Sequence, residues 1–407
     1  MAIPTEFSAA AVAAAAAAGD TLFGEFLESG EPYRSLLEHN PWLRAPRPKD
    51  SLEWGNGWYY DTTVARRHPY WQNQDLPAPS KRLDVLRRDF LRWGYCLIED
   101  GVSASQCRRL RERVAEQAEA ERALGIAHLS PAQQHVWALI NKGEQFVACM
   151  EHDPHAVQAG PLIEQLLGES LSNAWNHFSF IANISFPDCH PQGLHQDQGF
   201  LAPLHTLAAP MLVNTIYILQ DVDEHNGGTL LIPGSHRAQT PDGRFGELPP
   251  AINLEAPGGT ILMMDGRVLH GGAVNRSRKL RYIITNSTVK PWIKQQESFL
   301  LTISPEVLAA ASPRLLMRLG LQATAVRNMV EGYGYSGNGR TGDPNGSLVH
   351  VRRAMDEGRY RHLGPLTPAD VPGIAADRFT LGQIQQRFET HRNESYHRLL
   401  ERCREYE

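Results

Sequence analysis

His195 and Asp197 stand two apart in the stretch Gly193-Leu194-His195-Gln196-Asp197-Gln198. On an extended segment side chains alternate between faces, so residues two apart point the same way, and an imidazole and a carboxylate there make a bidentate corner for a metal ion. His270 lies 75 residues downstream and is the candidate third ligand if the fold brings distant strands side by side. Two imidazoles and one carboxylate on one face of a ferrous ion leave the opposite face open for dioxygen and an organic co-substrate. The plainer reading makes His195 a surface histidine bonded to its neighbour, since His-x-Asp arises readily in a chain with 17 histidines.

Arg281 follows His270 by eleven residues and opens the apolar run Tyr282-Ile283-Ile284. A guanidinium turned inward there needs an anionic partner, and the distal carboxylate of a dicarboxylate fits a bidentate fork. The alternative is a surface charge at a strand end. Asn214 interrupts the apolar stretch 211–217. A buried amide needs hydrogen-bond partners, which a bound co-substrate or a backbone bridge would supply. Other polar clusters invite less. His236, in Pro233-Gly234-Ser235-His236, reads as a structural corner and not a ligand; His152-Asp153-Pro154-His155 reads as a solvated loop because Pro154 and adjacency spoil strand alternation. Cys189 and His190 are expected at the rim of the site. The glycine-rich stretch 332–347 lacks the Gly-Lys-Ser/Thr ending of a phosphate loop and is expected to be a surface loop.

The elements that must position these residues are legible in outline. Residues 1–80, rich in aromatic residues and proline and without clean periodicity, form an expected irregular and partly helical extension, with a short helix from near Ser8 through the alanine tract 9–18. Helical spacing predicts a helix over 81–93, closed by Gly94 before a strand at 95–98. Ser103 and Gln106 fit a capping box for a helix running to Arg122, with Gly125 as its C-terminal cap. Between about 170 and 289 short apolar runs alternate with Gly, Pro, Asn and Asp, predicting strands at 178–184, 212–219, 229–232, 260–264 and 281–287. The expected fold is therefore a mainly β core, a jelly roll or double-stranded β-helix of cupin type, with flanking α-helices at both ends. Helices are predicted again at 308–319 and 381–402, giving three expected parts: the extension 1–80, a jelly-roll domain 81–290 with its N-terminal helices, and a helical extension 291–407.

Composition narrows the function classes. With 407 residues, 42% hydrophobic, the chain has ample material for a core, and a net charge of −5 without a dense basic run lacks the footprint of a nucleic-acid partner. No apolar run approaches the roughly 20 residues of a membrane span. Five cysteines without a C-x-x-C pair read as reduced thiols in a cytoplasmic protein.

His195-x-Asp197, Asn226-Gly227-Gly228-Thr229, Pro233-Gly234-Ser235-His236, Gly258-Gly259-Thr260 and the block from His270 through Asn275 to Arg281 together resemble the phytanoyl-CoA dioxygenase family of iron(II)/2-oxoglutarate-dependent oxygenases. The resemblance covers roughly 81–290. It implies His195, Asp197 and His270 as iron ligands and Arg281 as the 2-oxoglutarate anchor, with Gln192, Asn214 and Thr260 as further co-substrate contacts; for Gln192 an ordinary loop role, and for Asn214 a packing role, stay open. Gln196 is a weaker candidate. The implied activity is oxidation, by default hydroxylation, of an unactivated C–H bond in a small or medium-sized organic substrate such as a natural-product intermediate, using Fe(II), 2-oxoglutarate and O2. Halogenating relatives replace the carboxylate ligand with a small residue, so the intact Asp197 speaks against halogenation. A cupin-like isomerase or hydrolase that uses the same metal ligands without oxygen is the alternative, and it has no need of Arg281.

Overall fold

The computed structural model describes residues 68–321, apart from 125, 130, 131, 173, 174, 190, 202–208 and 241–243, together with the isolated positions 39, 365, 367 and 369. The helices expected near Ser8 and at 381–402, the glycine-rich stretch 332–347, His190, Gly125 and Cys403 lie outside these residues.

Past a short 3-10 turn (Pro69–Trp71), the described residues continue into α1 (Leu83–Trp93), whose Phe90 carbonyl accepts from the N–H of Gly94, a left-handed C-cap at φ 81°. Strand β1 (Tyr95–Ile98) follows, then α2 (Ala104–Ala123), where the Ser103 side chain accepts from the N–H of Gln106 as the capping pattern predicts. Short strands β2 (His128–Leu129) and β3 (Gln134–Val136) and helices α3 (Glu144–Met150) and α4 (Gly160–Leu171) lead to the long strand β4 (Asn176–Ser185). Then come β5 (Leu212–Ile218), β6 (Thr229–Leu231), β7 (Ile252–Asn253), β8 (Ile261–Asp265), β9 (His270–Gly272) and β10 (Arg281–Val289). The five strands expected from the alternation are all present, displaced by one or two residues at their ends.

The strands form a seven-stranded sheet, β1-β8-β5-β10-β4-β3-β2, and a three-stranded sheet, β7-β6-β9. A bridge between His195 and His270 adds the segment before Asp197 to the smaller sheet. In chain order the path from β4 onward crosses from the large sheet to the small one and back, to β5, then to β6 and β7, to β8, to β9 and to β10. That alternation is the double-stranded β-helix expected from the sequence.

Strand pleating sorts the core into two layers. On the outer face Phe180, Ala182, Ile184, Val213, Tyr217, Ile261, Met263 and Ile284 pack against the apolar stripes of the helices, among them Leu86, Leu110, Phe146 and Leu167. On the inner face Tyr95, Leu97, Ile216, Ile218, Leu262, Met264 and Ile283 meet Leu231, Leu254 and Val268 from the smaller sheet. The helices beyond β10 join the outer layer through Phe299, Leu308 and Leu315, so helices from both ends of the chain cover one face.

The single helix expected at 308–319 is two, α6 (Pro305–Ala310) and α7 (Pro313–Arg318), after a four-residue α5 (Phe299–Thr302). Pro313 cannot donate to a continuing ladder, and Ser312 caps the new start by accepting from Leu315 N–H. The loop expected at His152 also differs: His152 turns inward at φ 51°, is 2% exposed and bonds Glu164 through Nδ1, although Pro154 and His155 are exposed as a loop requires.

Candidate metal and co-substrate site

His195 and His270 sit directly opposite each other, each backbone N–H donating to the other's carbonyl at 2.9 and 3.0 Å. Cross-strand partners share a face, so the two imidazoles converge, with ring centroids 4.5 Å apart. Gly271 permits this close approach: a Cβ there would fall 2.7 Å from the carbonyl oxygen of Gln192. Asp197 does not extend the strand. It is the first residue of a 3-10 turn, Asp197–Leu201, so it joins His195 by a turn and not by the strand alternation that suggested the pair. Gln198 fastens this turn to the start of β5 by accepting from the N–H groups of Met211 and Leu212.

Each imidazole has its tautomer set by the backbone. Nδ1 of His195 lies 2.8 Å from the carbonyl of Gly193 and Nδ1 of His270 3.0 Å from that of Val268. A carbonyl only accepts, so both Nδ1 atoms carry hydrogen and both Nε2 lone pairs are turned forward. They face the same carboxylate, His195 Nε2 to Asp197 Oδ1 at 3.3 Å and His270 Nε2 to Oδ2 at 3.4 Å. Three donors that repel one another when unprotonated converge only if a proton or a cation sits between them. Donors bound at about 2.1 Å and at right angles around one ion would be about 3.0 Å apart, close to these spacings. Among the described residues this is the one group of three His, Cys, Asp or Glu side chains with ligand atoms within 4.8 Å of one another. His236 is not part of it; its Nε2 lies against the Leu91 carbonyl, which bears out the structural reading.

Asp197 is itself held. Burial works to raise its carboxyl, but when the imidazoles also carry protons on Nε2 the charge of His270 and the hydrogen bonds of both rings hold it well below the usual carboxylate range. Asn214 Nδ2 donates to Oδ2, and Ser287 Oγ donates to Asn214 Oδ1 at 2.6 Å. The amide expected as a co-substrate contact is thus engaged at both ends, between the carboxylate and β10. Gln196 donates to the carbonyl of Arg267 and so braces the turn. Ser287 escaped the sequence reading because a strand serine carries no signal until its neighbour's partner is known.

Arg281 starts β10 and is 2% exposed. Its register with Ser185, and that of Ile283 with Ile218, puts Arg281 on the inner face with Ile283 and Ser287. Thr260 precedes β8 on the same face, next to Ile218. Arg281 Nε and Thr260 Oγ1 are both enclosed without a hydrogen-bond partner, and no described carboxylate pairs with the guanidinium. Burial lowers the Arg281 pKa to about 10, so it stays charged at neutral pH. Gln192 exchanges hydrogen bonds with the backbone of Gly272, and a Cβ at Gly272 would lie 3.6 Å from Gln192 Oε1 and 4.0 Å from a terminal nitrogen of Arg281. Gln192 and Arg281 therefore approach each other at one end of the inner face, and Thr260 lies on that same face two strands across. A buried, unpartnered cation on the same face as an open hydroxyl fits the distal carboxylate of a keto diacid, and the imidazole and carboxylate donors fit a ferrous ion. Cys189 is buried with Phe186 and close enough to Arg281 to act on its charge.

Residues 90–283 match the phytanoyl-CoA dioxygenase (PhyH) family. An uncharacterized protein of Mycobacterium tuberculosis is 24% identical over 265 residues, 59% of this chain and 87% of that protein. Dioxygenase af480 of Aspergillus fumigatus is 31% identical over 169 residues, 39% of this chain and 51% of its own length. Among solved structures, the non-heme alpha ketoglutarate dependent carbocyclase SnoK from nogalamycin biosynthesis is 18% identical, with a TM-score of 0.41 over 53% of this chain and 87% of its own. HygX from Streptomyces hygroscopicus, with nickel, 2-oxoglutarate and hygromycin B bound, is 14% identical with a TM-score of 0.40 over 52% and 89%. These structural likenesses are distant, and the strand order above stands without them. Residues 90–283 thus carry the likeness to the phytanoyl-CoA dioxygenase family, and the chain is an iron- and 2-oxoglutarate-dependent oxygenase.

Proposed function

We propose that His195, Asp197 and His270 hold the iron, that Arg281 with Thr260 and Gln192 anchors 2-oxoglutarate, and that the enzyme hydroxylates an unactivated C–H bond of a small or medium-sized organic substrate. The observation that carries this reading is the convergence of two backbone-set Nε2 lone pairs and one carboxylate at 3.3 and 3.4 Å. Iron(II) held there, with 2-oxoglutarate and dioxygen, supplies the oxidising power for oxygen insertion, with succinate and carbon dioxide released.

The chain's own residues do the rest. Gly193 and Val268 carbonyls keep the imidazoles in the ligating tautomer, and the Asn214–Ser287 pair keeps Asp197 turned toward them. Arg281 fixes the orientation of the dicarboxylate in a low-dielectric site where a charged hydrogen bond is strong. The inner-face cluster around Ile218, Leu262 and Ile283 excludes water from one side. The catalytic module is assigned to residues 81–290.

The test is an anaerobic titration of the metal-free protein with Fe(II) and then 2-oxoglutarate, followed by the weak visible charge-transfer band of a chelated keto acid. A band that disappears in His270→Ala supports the reading. Tight metal binding without a band would move the assignment to oxygen-independent metal chemistry.

A further inference from the structure

The large sheet has seven strands and the facing sheet three, and the apolar cluster between them includes Leu231 of β6 but no residue of β2, β3 or β4. Among the described residues no apolar cluster covers the inner face of that flank. Pairing identifies its side chains: Ile283 opposes Asn183, Asn183 opposes His135, and His135 opposes His128, all on the face that carries Ser287 and Arg281. Trp137, two residues past His135, continues the row. His128 and Trp137 are stacked at 5.8 Å and 24°, and Trp137 Nε1 donates to His128 Nδ1 at 2.6 Å, which makes a fixed, partly exposed aromatic surface.

Two polar atoms beside it have no partner. Asn183 spends its Nδ2 on Thr285 Oγ1 at 3.0 Å, leaving Oδ1 enclosed and unpaired; His135 takes the Gln133 amide at Nε2, leaving Nδ1 as an enclosed, unpaired donor. Each orphan is destabilising if nothing satisfies it. A donor and an acceptor on facing residues complement a hydroxyl, which accepts from one and donates to the other. The row His128, His135, Asn183, Thr285 carries no Lys, Arg, Asp or Glu, so it offers no fixed charge to a phosphate or a carboxylate. It also connects to the proposed metal ligands, because Thr285 lies two residues from Ser287, which reaches Asp197 through Asn214.

We propose that this flank is the substrate wall, and that it takes an uncharged, ring-containing organic molecule whose hydroxyl bridges His135 Nδ1 and Asn183 Oδ1 while the ring lies on His128 and Trp137. The proposal rests on the oxygenase reading of the site. Its test is saturation-transfer NMR on the metal-free protein with 1-naphthol as probe and 1-methoxynaphthalene as its non-donating analogue. His135→Phe, which keeps the ring, and Asn183→Leu are each expected to weaken 1-naphthol about tenfold and leave the ether unchanged. Trp137→Ala should weaken both probes. Equal affinity of the two probes for the wild type, or naphthol binding unaltered in all three variants, overturns the proposal and leaves the orphan atoms to water. Mn(II), a paramagnetic stand-in for iron, separates the two readings. Broadening of bound 1-naphthol that is lost in Asp197→Ala joins wall and metal; probe binding without broadening in a protein that takes up Mn(II) overturns the wall as part of this site. Absence of Mn(II) uptake with probe binding intact overturns the metal reading instead.

Discussion

Of the buried arginines among the described residues, Arg281 and Arg318 lie on opposite faces of the large sheet and are treated differently. Arg318 on the outer, helical side makes two hydrogen bonds to Glu164 and lies 3.7 Å over the ring of Trp175. Arg281 on the inner side has neither a described carboxylate nor a partner for its Nε. A fold that can pair one buried cation so fully leaves the other unpaired where a ligand's charge can complete it. The same division runs through adjacent residues of β10: Asn286 bonds His177 among the helices, while Ser287 reaches through Asn214 to Asp197. Outer polar groups hold the molecule together, and inner ones are arranged toward something the chain does not itself supply.

Four measurements break or sharpen this contrast. The largest effect is expected from Asp197→Ala, which should lower Mn(II) affinity by at least ~100-fold and remove succinate formation, because one of the three proposed ligands, and the anionic one among them, is lost; calorimetric metal titration reads it directly. Next, Arg318→Leu should cost about 3 kcal/mol of stability by leaving Glu164 with His152 as its remaining partner, with no change in 2-oxoglutarate affinity. Arg281→Leu should do the reverse, weakening 2-oxoglutarate by about 100-fold while the ligand-free protein keeps its stability. Urea unfolding with and without 2-oxoglutarate compares them, and a shared stability loss would show that Arg281 is structural. Asn214→Leu should lower metal affinity by about tenfold, leaving KM for 2-oxoglutarate nearly unchanged, since the amide's described bonds go to Asp197 and Ser287.

The smallest effect is a pH dependence that arises on the outer face at His177. Burial pushes His177 down to about 3 from its usual 6.5, so the unfolded chain binds a proton that the folded one refuses. Stability is therefore present above about pH 6.5 and is lost as pH falls toward 3. Glu164, which burial would raise but which His152 and Arg318 hold at about 2, adds a loss in the same direction below its unfolded value near 4.5. His177→Phe should flatten the first part of this decline in urea midpoints taken from pH 7 to 5. An unchanged slope would assign acid sensitivity elsewhere.

Much of the β core was legible because alternation of apolar residues depends only on one face being buried, and Gly94, Ser103 and Pro233-Gly234 mark their turns by local backbone chemistry. Short elements were not. β2, β3 and β7 are two or three residues long, too short for periodicity, and their existence depends on β4 and β6 being there to pair with. The inward His152 was read as solvated since nothing local announces Glu164 or Arg318. His195, Asp197, His270 and Arg281 were singled out by residue type, spacing and family resemblance, and their spacing along the chain is a sequence property.

By itself the sequence determined which residue types could bind a metal and a dicarboxylate, where the strands run, and which family's pattern the chain carries. Only the tertiary structure decided that Asp197 reaches the histidines by a 3-10 turn, that Asn214 serves the carboxylate, that both sets of helices cover one face, and that His128, His135 and Trp137 form a wall on the other. The physical reason is that periodicity says a residue has a buried side without saying which of two faces it is, or what lies opposite. That is settled by strand order and register, which are fixed by contacts between residues far apart in the chain.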